Sequence, residues 1–147
     1  MASALEERVA ASLHLRLPTV EIAPGELLDK ITILHIKSER MTDEAKLRHV
    51  RHELEQLTGV RASVLPRSPE LEALTAELKA VNQKLWEIED DIRRCERDND
   101  FGPRFIALAR SVYRTNDERS AIKRRINNLL CSDLVEEKDY SRYPTGI

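Results

Sequence analysis

Two stretches of the chain repeat apolar residues at every third and fourth position for about 28 residues each, a spacing that only a long α-helix keeps on one face. The first runs from Leu71 through Leu74, Leu78, Val81, Leu85, Ile88 and Ile92 to Cys95. The second runs from Phe105 through Leu108, Val112, Thr115, Arg119, Ile122 and Ile126 to Leu129. At 1.5 Å per residue each helix is about 42 Å long. Ser68-Pro69-Glu70 starts the first, and Asp98-Asn99-Asp100 followed by Gly102-Pro103 leaves only a tight reversal before the second, so the pair forms an antiparallel hairpin. Charge supports the pairing: residues 70–98 hold nine acids and five bases, residues 103–130 seven bases and two acids. In this register Ile92 faces Leu108, Ile88 faces Val112, Leu78 faces Ile122 and Leu71 faces Leu129.

The rest of the chain supplies cover for that hairpin. Pro24 suits a first helical position, and Leu27 to Ile36 (LLDKITILHI) is apolar almost all round, which predicts a first helix over 24–41 buried between the hairpin and another element. Thr42 as N-cap, Leu47, Val50, Leu54 and Leu57 at helical spacing, and Gly59 as the stop predict a second helix over 43–58. Residues 59–67 read as a loop. The expected fold is therefore all-α: a long antiparallel hairpin of the third (69–97) and fourth (103–130) helices, covered by two shorter ones. Residues 1–22 read as an N-terminal extension and extended lead-in, in which Leu5, Val9 and Leu13 could form a short amphipathic turn before Leu17-Pro18. Residues 23–147 read as a single helical domain that ends in a tail over 131–147.

Composition excludes several classes. Four Gly and six Pro in 147 residues are too few for a turn-rich β fold, and 34% charged residues against 4% aromatic ones predict an aliphatic core under an ionised surface. A net charge of −2 gives no general attraction for nucleic acid or anionic lipid, and the basic fourth helix lies against an acidic third one. No run is long enough to span a membrane. Cys95 and Cys131 have no metal-ligand spacing and suit a reducing compartment, so the expected location is the cytoplasm.

Function is sought where the pattern breaks. Thr115 and Arg119 interrupt the fourth helix's stripe opposite Leu85 and Val81, and Asn82, Trp86 and Glu89 on the third helix and Asn116 and Lys123 on the fourth fall at the same height. These residues should converge on one face, roofed by the first helix. Arg119 either snorkels or pairs with Glu89 while the asparagines pin register, or joins Lys123 and the amides in a pocket for an anionic or hydroxyl-rich ligand; a protein-binding groove is the third possibility. Asp29, Lys30 and Thr32 interrupt the buried string of the first helix, where a buried Asp29 or Lys30 would need a partner such as Arg119 or Glu89, unless they lie on a solvated edge. Weaker signals are His49 and His52, two imidazoles on one helical face without a third ligand, and Glu26-x-x-Asp29 with Glu87-x-x-Asp90. The latter resemble the magnesium motifs of all-α nucleotide pyrophosphohydrolases at too wide a separation. No metal site and no cofactor are expected.

With these residues in view, the chain resembles an uncharacterised bacterial family of small helical domains over about residues 20–143. The resemblance rests on GELLDKITIL (Gly25 to Leu34) with Ile36-Lys37, NQKLWEIED (Asn82 to Asp90), FIALAR (Phe105 to Arg110), Tyr113 to Arg119, Ile122-Lys123, Ile126-Asn127 and Glu136-Glu137-Lys138. It implies no established activity, only a loose association with glycan assembly. The expected function is a non-enzymatic binding or scaffold module, dimeric, accessory to cytoplasmic glycan assembly, with a protein partner or a small anionic or sugar-like ligand. The alternative is a small all-α enzyme that stabilises charge on an anionic metabolite as helical chorismate mutases do, although that family's arginine spacing is absent here.

Overall fold

A computed structural model describes residues 3–8, 17–132 and 136–144. Among these the fold is all-α with no strand: α1 spans Pro24–Arg40, α2 Glu44–Val64, α3 Pro69–Arg97 and α4 Pro103–Leu129. Residues 4–8 add a short helical stretch in which Leu5 is exposed; Val9 and Leu13 lie outside the described residues.

α3 and α4 form the expected hairpin and share the most extensive interface of the fold. Ion pairs Glu77–Arg125 (2.8 Å), Lys84–Glu118 (3.8 Å) and Asp91–Arg104 (3.8 Å) join the two helices along their length. The reversal is set by Asn99, which takes a left-handed φ of 52° and lets the Asp100 N–H reach back to the Cys95 carbonyl at 2.8 Å. This Schellman closure satisfies carbonyls that the helix end would otherwise orphan. Cys131 (φ 53°) closes α4 in the same way, with Ser132 N–H on the Asn127 carbonyl.

α1 is the central element and packs on α2, α3 and α4, which is why its sequence is apolar nearly all round. Leu27, Leu28 and Ile31 of α1 meet Leu71, Leu74 and Leu78 of α3 and Ile122 and Ile126 of α4 in one core cluster, with Leu54 and Leu57 of α2 at its edge. Farther along, Leu34, Ile36, Ile88 and Cys95 are buried.

Three local expectations are corrected. α2 is capped by Asp43 rather than Thr42, its carboxylate accepting from the Ala45 and Lys46 N–H groups at 2.9 and 3.1 Å. It continues past Gly59 to Val64, because Gly59 keeps negative φ and the extra turns carry Arg61 onto Glu72 (2.7 Å) and bring Leu65 onto the core. Leu129 is exposed, since Leu130 takes its expected place against the core.

Candidate functional site

The site begins where α1 starts. Pro24 supplies the first helical position, but Ala23 offers no side-chain cap. The cap comes instead from α4, where the Asn127 Oδ1 accepts the Gly25 N–H at 2.8 Å. This needs a close backbone approach: a Cβ on Gly25 would lie 2.6 Å from the Lys123 carbonyl oxygen. One turn of α1 then sets Glu26 and Asp29 over α4.

Asp29 is 1% exposed and fully engaged. Its Oδ1 accepts from Asn82 Nδ2 and Arg119 Nε, both at 2.9 Å, and its Oδ2 takes a second guanidinium N–H of Arg119. Asn82 also donates to the Thr32 hydroxyl at 3.0 Å, which in turn donates to the Asp29 carbonyl at 2.8 Å. One carboxylate thus ties α1 to both arms of the hairpin. The two-pronged hydrogen bond from Arg119 suits a planar guanidinium, and Asp29 raises the Arg119 pKa against the opposing effect of burial.

One turn on, the Lys123 side chain is 8% exposed, and its Nζ lies 2.7 Å from Glu26 and 2.7 Å from Glu136. Burial disfavours the ammonium, but hydrogen bonds to Glu136 and Glu26 outweigh it and raise the Lys123 pKa. Reciprocally, Lys123 holds the Glu136 carboxyl below the usual range. Glu136 begins a strap, residues 136–144, that is held at its far end by Tyr143 on the Asp117 carboxylate and edge-on against the Tyr113 ring.

Beside the Asp29 network lies a groove of about 610 Å³ between α1, α3 and α4. Ile33, Ile36, Leu85 and Trp86 supply its apolar lining, and Glu89, Asp90, Arg93 and Asn116 supply polar groups next to Asn82 and Arg119.

The chain belongs to DUF6165, a family of unknown function. That family's model matches residues 18–146. No curated protein and no solved structure matches the chain.

In this DUF6165 domain the anticipated residues divide into two sets. Asn82, Asp29 and Arg119 meet in one buried network, whereas Trp86, Asn116 and Glu89 line the groove with Arg119 and Asn82 at its edge. The expected Arg119–Glu89 pair does not form: Glu89 sits on the exposed side of α3 and faces Arg93 at 3.6 Å. Lys30 is exposed on α1, on the solvated edge, and takes no part in the network. Lys123 belongs to the neighbouring Glu26–Glu136 cluster and not to the groove. Of the two acidic pairs, Glu26 and Asp29 are each matched by a cation and Glu87 by Arg40 at 3.2 Å, while Asp90 lies exposed at the groove. His49 and His52 are exposed on α2, and no cluster of metal-ligating side chains occurs among the described residues. No described helix is long and apolar enough to cross a membrane. The Thr115 hydroxyl, buried at the seam, is the one fully buried side-chain polar atom among the described residues with no hydrogen-bond partner.

Sequence reasoning left Thr32, Asn127 and Glu136 out of the site. A signal existed for Asn127, an amide one turn beyond Lys123 on the same face of α4. For Glu136 the only signal was its place in the Glu136-Glu137-Lys138 motif, because its role depends on the strap turning back along α4.

Proposed function

We propose that the groove beside Trp86 binds a polyhydroxylated, sugar-like ligand and that the domain is a binding module rather than an enzyme. The observation that carries this reading is the division of labour in the polar centre. Arg119, the cation at the groove's edge that a charge-stabilising enzyme would aim at its substrate, is already matched by Asp29, and Lys123 lies outside the groove. What the groove offers instead is a half-buried tryptophan with carboxylates and an amide beside it. An aromatic face packs against the C–H face of a sugar ring, and carboxylates and amides accept and donate to its hydroxyls. The same pairing of Arg119 weighs against the chorismate-mutase-like alternative.

The setting we propose is accessory to bacterial glycan assembly in the cytoplasm. The two unpaired thiols, Cys95 and Cys131, support a reducing compartment, and the family resemblance supports the association with glycans. Exposed apolar side chains on α2 (Val60, Val64) and around the start of α4 (Phe101, Ile106) support a homodimer.

Trp86 is the only tryptophan in the chain, so its fluorescence reports on the groove directly. Titration with neutral oligosaccharides and nucleotide sugars should give a saturable change with at least one of them. Asn116→Ala and Glu89→Ala should each weaken it by about tenfold, the worth of one good hydrogen bond, while Arg48→Ala on exposed α2 should leave it unchanged. No saturable change with any sugar, or equal affinity in all variants, would remove the proposal.

A further inference from the structure

On the α4 face shared with the C-terminal strap, a second cavity of about 350 Å³ is lined by Lys123, Arg124, Lys138, Ser120 and Asn127, with Asp117 and Glu136 as its acids. Across the two neighbouring clusters, three carboxylates (Asp29, Glu26 and Glu136) face the partly buried guanidinium of Arg119 and the buried ammonium of Lys123. Asp29 is committed to Arg119, and Glu26, one helical turn before it, alone suffices to neutralise Lys123. Glu136 is therefore surplus, and unlike Asp29 it is reachable: its side chain is 46% exposed. Asp117, the other acid, is occupied by the Tyr143 hydroxyl. Arg124 meanwhile reaches the strap only at 3.3 Å, through the Glu136 carbonyl and the Glu137 carboxylate.

We propose that this cavity is a binding site for a phosphate-bearing ligand, and that the Glu136 carboxylate occupies it as a built-in, displaceable stand-in for the phosphate. Rotation of Glu136 into solvent leaves a buried ammonium, a guanidinium, the Lys138 ammonium and the Ser120 hydroxyl around one space, a set of donors that suits a doubly charged oxyanion better than a single carboxylate. The ligand competes with the chain's own carboxylate, so the apparent affinity of the closed form is reduced by the fraction of time Glu136 sits on Lys123. This site is separate from the Trp86 groove and stands or falls independently of it.

The test is thermal unfolding of the whole chain in rising inorganic phosphate, with ionic strength held constant by sodium chloride. Glu136→Gln removes the competitor while Glu26 still neutralises Lys123, so the variant folds and should reach half of its phosphate-induced shift at a phosphate concentration at least tenfold lower than the natural chain. Adding Arg124→Ala or Lys138→Ala to Glu136→Gln should abolish that gain. A phosphate response that is the same in the natural chain and Glu136→Gln, or that survives both second substitutions, would overturn the proposal.

Discussion

A methyl group on Gly25 would press on the Lys123 carbonyl at 2.6 Å and on the Asn127 Oδ1 at 2.9 Å, the group that caps α1. Backbone cannot yield as a flexible side chain can, so Gly25→Ala should push the start of α1 off α4 and cost about 1–3 kcal/mol by urea denaturation. Unchanged stability would mean that the approach is looser than described. Titration of the neighbouring Lys123–Glu136 pair has a definite sign at each end of the pH range. Glu136 is held below its unfolded value of 4.5, so its contribution is present above that pH and is lost as pH falls through the lowered folded value. Lys123 is held above 10.5, so its contribution is present below that pH and is lost as pH rises through the raised value. The natural chain should therefore be more stable than Glu136→Gln at pH 7, with the difference vanishing at acid pH, once the lowered folded value has been passed and Glu136 is protonated. A difference that persists there would assign the effect to packing. None of this was legible from Glu136 itself, which is an ordinary acid in a charged tail until the strap brings it to Lys123.

At the scale of elements, periodicity was an adequate guide wherever burial is one-sided. The stripes on α3 and α4 named the hairpin because a helix that hides one face must repeat apolar residues at that spacing. They were less informative about depth: Leu78 and Ile122 are buried in the cluster, whereas Leu85 lies only half-covered beside the groove. Leu78→Ala and Ile122→Ala should each cost about 2–5 kcal/mol, and Leu85→Ala distinctly less, because it vacates space already open to solvent. Equal losses at all three would place Leu85 in a closed layer and erase the groove. The end of α2 escaped sequence reasoning because glycine signals a stop only when the chain needs left-handed backbone, and Gly59 does not adopt it. What prolongs that helix is tertiary, the reach of Arg61 to Glu72 and the docking of Leu65, and no local pattern records it.

For the molecule as a whole, the polar centre is the hinge between stability and function. A basic residue in the middle of an apolar seam demanded a buried acid, and Asp29 in an otherwise apolar string was one of two carboxylates that could answer. Glu89 was the wrong one because its position on α3 faces outward, a matter of helix orientation that the stripe alone leaves open. Arg119 locks α1 onto the hairpin through Asp29, and in the proposed function ligand recognition falls to the groove beside it. Arg119→Met tests this most directly, because it removes the charge and keeps much of the apolar stem. With Asp29 stranded at 1% exposure, the urea-unfolding free energy should fall by about 3 kcal/mol, toward the low end for breaking a buried pair because Asn82 still donates to the carboxylate. Stability equal to or above that of the natural chain would contradict it, and would mark Arg119 as a charge held ready for a ligand.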